Sequence, residues 1–474
     1  MGQVLMTIRP RKGGSGKRPP AAARSGDAVL IRDLLSDHFG PSRLEDLVIS
    51  RDEFPRWMRA DIQHALDAIF GEIPTHEFCG ARLRGSGLDF RFPNLLETGE
   101  EAIAVGPAVY QDIDIGEGEP ARCLLRGLWL AESDGMRFGI LLDVTSDYHD
   151  TLVRVDIAVP PGEIAQRLAV GLLRRVRSAG EGARAYRGKI LTLESEEFTI
   201  QGAPADIVVE DIAPASREDV ILTERMLQLI ERNTIGFAGR MDALTGLGMS
   251  GRKGVLFYGP PGTGKTLVVR YLAGELKGFT TFLVAAQQYG LLHDYIEMAR
   301  LLQPALVVLE DVDLVGADRD GPWQGSPAAL NDLLNQMDGL TREAKILFVM
   351  TTNRPEVLEP ALAGRPGRVD QAIEFSLPED AERRRLIRRY MGALPICEDL
   401  VASVSKRVGK VAPAFIKELM RRAAECMLER DQKEGPGLAF ADVERALEDM
   451  LVLGGKLNMR LLGAEEAIGF TARR

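Results

Sequence analysis

The sequence predicts an α/β core built on a parallel sheet, followed by a helical C-terminal segment. A short helical region and a strand-rich α+β domain precede the core. Three observations carry this. After Pro214 the texture becomes helix–strand alternation, the pattern of parallel strands joined by helical crossovers. Within it, four continuous apolar or β-branched runs (Gly254–Tyr258, Thr280–Ala285, Ala305–Leu309 and Ile346–Met350) read as strands covered on both faces. From about 380 onward the pattern is helical, over 380–392, 396–408, 412–430 and 440–452.

The elements follow in chain order. Residues 1–26 read as a disordered basic tail, because 7–26 are Gly/Pro-rich and almost without apolar side chains. An electrostatic tether to RNA, DNA or lipid is the alternative for this tail. The Met-Gly start resembles a myristoylation signal, but Met6 stands where Ser or Thr is wanted. No apolar h-region follows, so a secretory signal is not expected.

Residues 27–79 read as a helical N-terminal region. Leu30, Ile31, Leu34 and Leu35 recur at helical spacing, as do Ile62, Leu66, Ile69 and Phe70, with Pro41 and Pro55 as punctuation. Over 80–215, short runs at Leu88–Phe92, Arg122–Leu130, Phe138–Asp143, Leu152–Val159 and Ile207–Val209 read as strands. One helix interrupts them near Pro161–Val176. This domain carries no motif tied to chemistry.

The chain has 474 residues, enough for about three domains. Apolar residues at 45% and charged residues at 27% are ordinary for a chain that buries real cores. The net charge of −10 and a pI near 5.3 argue against a protein that coats nucleic acid or an anionic membrane. No apolar stretch approaches the roughly 18 residues that span a bilayer. The four cysteines, Cys79, Cys123, Cys397 and Cys426, lie too far apart for a disulfide framework or a zinc finger. A reduced, cytoplasmic setting is therefore expected.

The strongest local signal is Gly259-Pro260-Pro261-Gly262-Thr263-Gly264-Lys265-Thr266, which fits G-x-x-x-x-G-K-[ST]. The strand Val255–Tyr258 leads in, and a helix beginning at Leu267 leads out. Glycines let backbone N–H groups curl around a polyphosphate, and the helix N-terminus adds positive potential. Lys265 is expected on the β- and γ-phosphates, and the Thr266 hydroxyl on Mg²⁺.

Downstream, the apolar run Leu306–Leu309 ends in Glu310, Asp311 and Asp313, acids at the carboxyl end of a strand where ligands bind. The next strand runs into Thr351-Thr352-Asn353, which places Asn353 beside the γ-phosphate to orient the attacking water. Then Arg365 and Arg368 stand in a Gly/Pro-bounded loop, suited to clamp phosphate or to stabilise a transferring phosphoryl group.

Residues from about 219 to 452 resemble the ATPase module of the AAA family proper, a P-loop NTPase. GVLFYGPPGTGKT resembles its phosphate-loop segment, and Leu330–Leu340 the helix before its sensor strand. Thr351–Pro378 is similar to its second region of homology. The resemblance implies a nucleotide-binding α/β subdomain, placed at 216–379, and a helical lid with C-terminal tail at 380–474. It implies ATP and Mg²⁺ as ligands and a homo-oligomeric ring, usually a hexamer, with ATP at subunit interfaces. By position, Lys265 and Thr266 carry over as phosphate and Mg²⁺ residues, Asn353 as the first sensor, and Arg365 and Arg368 as the arginine-finger pair. The second-sensor position holds Ala414 rather than arginine.

Two departures matter. The family's acidic pair is usually Asp then Glu; here it is Glu310 then Asp311. The same order occurs in the branch resembling the mitochondrial respiratory-complex assembly AAA protein. Glu310 would then hold Mg²⁺, mostly through water, and Asp311 would polarise the attacking water. The second departure lies where the family places an aromatic pore loop, because about six residues are missing by alignment back from Ala299-Arg300. Tyr289-Gly290 is the candidate substrate grip there, against an ordinary packed tyrosine. Trp323 is a second candidate, against a local turn anchor.

Two functions follow. One is an ATP-driven remodeller that catches a protein client or adapter through 27–215. The other is an ATP-gated assembly scaffold with slow turnover and no threading. A nucleic-acid remodeller has only the basic tail in its favour, and no membrane partner is expected. Fused proteolysis is disfavoured: no His-Glu-x-x-His occurs, and His38, His64, His76, His149 and His293 are scattered.

Overall fold

The computed structural model describes residues 29–40, 42–82, 90–97, 102–146, 151–194, 206–314, 335–337, 339–356, 369–430 and 437–450. The expected basic tail, Trp323, Arg365 and Arg368 lie outside these residues.

The first sheet is antiparallel. Helix α1 (Ile31–Phe39) precedes β1 (Val48–Pro55), and α2 (Arg59–Glu72) precedes β2 (His76–Arg82). Then come β3 (Ala104–Gly106), β4 (Val109–Ile113), β5 (Ala121–Ser133), β6 (Met136–Ser146), β7 (Thr151–Val159) and α3 (Glu163–Gly182). The strand order is β1-β7-β6-β5-β2-β3, with β4 also on β5. Successive strand side chains point to opposite faces, and here both faces are apolar. Ile140 and Val155 join Ile62, Leu66 and Val176 from α2 and α3 on one side. Leu141 joins Ile31 and Leu35 from α1 on the other, with Phe92 and Leu95.

Two expectations are corrected here. Residues 27–79 are not a separate helical region, because all of β1 pairs with β7, from Val48↔Val159 to Pro55↔Leu152. The charges within β1 hid it: Arg51 binds Asp156 at 2.7 Å and Asp52 binds Arg177 at 2.7 Å, so polar residues serve a paired strand. The expected strand at Leu88–Phe92 is not formed at its described end. Phe92–Leu96 is a 3₁₀ turn that plugs the sheet with Phe92 and Leu95.

The second sheet is parallel except at one edge. It comprises β8 (Ile190–Glu194), β9 (Asp206–Val209), β10 (Lys253–Tyr258), β11 (Thr280–Val284), β12 (Ala305–Leu309), β13 (Ile346–Thr352) and β14 (Gln371–Glu374). Its order is β14-β10-β13-β12-β11-β8-β9. The four predicted core strands are all present, and β14 was not foreseen. Before β10 stand α4 (Glu224–Asn233), capped by Thr223 on the Met226 N–H, and the short α5 (Ile235–Ala238) and α6 (Met241–Gly246). Helices α7 (Lys265–Glu275) and α8 (Leu292–Leu301) follow β10 and β11.

The 215/216 boundary is also corrected. β8 pairs in parallel with β11 through Thr281↔Ile190 and Phe282↔Leu191, so the N-terminal half extends the second sheet. One core continues across the junction, joining Ile115, Ala121 and Cys123 to Phe282, Val284 and Tyr295. Buried Asp61 accepts the Arg184 and Ala185 N–H groups at 2.8 and 3.2 Å, tying α2 to the chain entering β8. The helical C-terminal part comprises α9 (Asp380–Tyr390), α10 (Glu398–Val408), α11 (Pro413–Glu429) and α12 (Phe440–Glu448), with a core of its own.

Candidate active site

Parallel register assembles the site. Tyr258 pairs with Thr352, and Leu309 with Met350 and Val284. The carboxyl ends of β10, β11, β12 and β13 therefore lie side by side. The glycine loop, Glu310–Asp311, Asn353 and the segment after Val284 all leave the sheet at one edge. Ligands bind at such an edge.

The loop is shaped by its glycines. Gly259 has φ +145°, and a Cβ there would sit 2.3 Å from the Phe375 carbonyl oxygen, so only glycine fits. Gly262 has φ +73°, and a Cβ there would come within 2.8 Å of the Ala414 Cβ. The Ala414 N–H donates to the Gly262 carbonyl at 3.2 Å, so the C-terminal helix α11 touches the loop directly. The Thr263 hydroxyl donates to the Pro260 carbonyl at 2.8 Å and holds the loop curled.

Lys265 opens α7 and is 7% exposed. Its Nζ donates to the Gly259 and Pro260 carbonyls at 2.8 and 3.0 Å. Burial pushes this ammonium down to about 8, against the pull of Asp311 and Asp313. A cation held at the loop mouth by weak carbonyl acceptors fits a polyphosphate.

The acidic pair is set by a local backbone feature. In an extended strand Glu310 and Asp311 would face opposite ways. Asp311 instead has φ +48°, the left-handed region that non-glycine residues seldom adopt. This turn lets both carboxyls line one cavity of about 640 Å³, together with Lys265, Thr266 and Asn353. The Asp311 N–H donates to the Thr351 hydroxyl oxygen at 3.0 Å, and Asn353 Nδ2 donates to Asp311 Oδ1 at 3.0 Å. Both carboxyls lie above their ordinary range: burial acts first, then Asp311 on Glu310 and Asp313 on Asp311. A hydrogen bond to the Thr266 side chain partly offsets this for Glu310. Glu310 with the Thr266 hydroxyl is an oxygen-only donor set, which suits a hard cation that takes its other ligands from phosphate and water.

Sequence reasoning did not single out several neighbours. Asp313, named among the acids after β12 but given no role, accepts the Thr352 hydroxyl at 2.7 Å and the Asn353 N–H at 3.3 Å, and so holds the end of β13. Its place three residues after Glu310 was the available signal. Ile221, Leu222, Tyr390 and Lys417 line the cavity from the linker and the C-terminal helices, and no spacing pointed to them. Pro261, Gly264 and Leu267 also line it. Tyr289 is half-buried and donates to the Glu310 carbonyl at 2.7 Å; it is a packed tyrosine behind the acidic pair.

A family model described as "ATPase family associated with various cellular activities (AAA)" matches residues 255–377, which span the loop, the acidic pair, Asn353 and both arginines. The ATP-dependent zinc metalloprotease FtsH 3 of Symbiobacterium thermophilum is 33% identical over 228 residues, covering 45% of this chain and 36% of that protein. The ATP-dependent zinc metalloprotease FtsH 3 of Sphaerobacter thermophilus is 34% identical over 227 residues, covering 45% of each. This chain thus spans less than half the length of these relatives. The crystal structure of the FIGL-1 AAA domain in complex with ADP shares 20% identity and a TM-score of 0.43, covering 53% of this chain and 93% of that one.

Proposed function

From the match of residues 255–377 to the AAA ATPase family model, we propose that the protein is a Mg²⁺-dependent ATPase ring that remodels a protein client. The observation that carries the reading is Asp311, turned into the same cavity as Lys265 and Thr266 and held by Asn353. Asp311 takes the proton of the attacking water, Asn353 orients it, and Lys265 offsets phosphate charge. Magnesium, when bound, supplies further charge neutralisation on the phosphates, and Thr266 and Glu310 are the residues that would hold it. Purified protein should release phosphate from ATP in a Mg²⁺-dependent way and assemble with nucleotide. A monomer with no affinity for adenine nucleotides overturns the reading.

The Lys265 ammonium gives a pH signature. Its free-state value is about 8, and a bound polyphosphate must raise it. Linkage then keeps ATP affinity at its full, pH-independent value below that pH and weakens it above, by up to roughly tenfold per pH unit. Titration with a fluorescent ATP analogue between about pH 7 and pH 9 checks this. Unchanged affinity would contradict the role given to Lys265.

Arg365 and Arg368 are proposed to act on the neighbouring subunit's nucleotide. Arg365→Ala and Arg368→Ala should leave ATP binding nearly intact and lower turnover by roughly 10²-fold or more. Mixing either with Lys265→Ala subunits should restore part of the activity; mixed rings without rescue would exclude action across the interface.

The client or adapter is assigned to 27–215, and the setting to the cytoplasm. The net charge of −10 and four free cysteines support the latter, and no described helix is long and apolar enough to cross a membrane. The zinc metalloprotease activity in the relatives' names is not carried over, because no His-Glu-x-x-His occurs in these 474 residues. One observation favours the scaffold reading instead: the segment where a pore grip is expected, Ala286–Leu291, is a 3₁₀ turn packed on the sheet. Imaging Asp311→Asn captured with ATP and client separates the two. A chain in the ring's pore supports remodelling by threading, and a client held only at the rim supports the scaffold.

A further inference from the structure

Resting on the hydrolytic reading above, we propose that Tyr289 is a positioning residue for the acidic pair, fixed in place by strand β8 of the N-terminal half. A chain of hydrogen bonds runs from β8 to the acidic pair. Gln288 Nε2 donates to the Leu193 carbonyl of β8 at 2.8 Å, and its Oε1 accepts the Ala285 N–H at 3.0 Å. The Leu193 N–H donates to the Tyr295 hydroxyl at 2.7 Å, and that hydroxyl donates onward to Gln288 Oε1 at 3.1 Å or to the Leu283 carbonyl at 3.2 Å. The turn at Ala286–Leu291 is thus tied to β8 through half-buried Gln288, and the helix after it through fully buried Tyr295.

Tyr289 stands in this clamped turn and reaches across to the Glu310 carbonyl at 2.7 Å. The Glu310 N–H meanwhile donates to the Val284 carbonyl at 3.0 Å, the last ladder bond before the left-handed residue Asp311. The peptide between Glu310 and Asp311, just past that ladder bond, is therefore held by side chains alone at its two polar groups. A left-handed conformation at a non-glycine residue is strained and persists only where its surroundings over-determine it. The Tyr289 hydroxyl and the Thr351 hydroxyl, which accepts the Asp311 N–H, are the two side-chain groups gripping that peptide's two ends. Burial and the nearby carboxylates keep the phenol protonated, so it remains a donor. A residue in this place has no freedom to grip a passing polypeptide. It sets the direction in which Asp311 points.

The test uses the full chain and reads kcat, KM and nucleotide affinity separately. Tyr289→Phe removes the hydroxyl alone. It should lower kcat roughly tenfold while KM for ATP and the affinity for a fluorescent ATP analogue stay within about twofold. Gln288→Ala should lower kcat in the same direction by less, and the double variant should fall no further than Tyr289→Phe. Wild-type turnover retained in Tyr289→Phe overturns the inference. So does a parallel loss of kcat, affinity and melting temperature, which marks general destabilisation. Absence of hydrolysis by the wild type would instead sink the ATPase reading, so the two failures are distinct.

Discussion

Lys265→Ala is expected to abolish measurable nucleotide binding. The ammonium is the charged donor at the loop mouth, and charge-assisted hydrogen bonds are worth about 1.5–3 kcal/mol each. The variant also removes the Lys265 bond to the Gly259 carbonyl and leaves the Pro260 carbonyl with the Thr263 hydroxyl alone, so the loop loses two of the contacts that shape it. Together these should weaken ATP binding by roughly 10²-fold or more. Isothermal titration with ATP, beside a melting curve to show that the fold survives, measures it. Normal affinity in a folded variant would refute the phosphate-loop assignment.

Asp311→Asn is expected to separate binding from turnover. Asparagine keeps the side-chain length and an oxygen that accepts from Asn353 Nδ2. It cannot take a proton from water, and loss of a positioned general base costs roughly 10²–10⁴ in rate. It also removes a carboxylate that interacts with Lys265, so ATP affinity should hold or rise. A rapid-quench measurement with ATP already bound isolates this step. Near-normal hydrolysis would move the base to another residue, with Glu310 and Asp313 the neighbouring carboxyls.

Much of the α/β core was legible in advance. Continuous runs such as Ala305–Leu309 and Ile346–Met350 are strands because both faces are covered, and a strand covered on both faces needs no alternation. The N-terminal half was harder to read. In β1 the pattern Ser50-Arg51-Asp52-Glu53 looks like a polar loop, yet each charge has a cross-strand or cross-helix partner more than 100 residues away. The β8–β9 hairpin was half seen, at Ile207–Val209, and assigned to the wrong sheet. Nothing in a five-residue apolar strand states which sheet edge it will join.

The phosphate loop was determined by the sequence alone, because its glycines, its lysine and its leading strand are contiguous and act through local backbone geometry. The types of residue at Glu310, Asp311 and Asn353 were determined in the same way, as the residues that follow two recognisable strands. Only the tertiary structure decided that Asp311 turns left-handed into the cavity, that helix α11 meets Gly262 through Ala414, and that Tyr289 serves the acidic pair. Each depends on register between strands or contact between helices far apart in the chain. Such contacts are settled by which buried surfaces fit together, and no local pattern of residues records that choice.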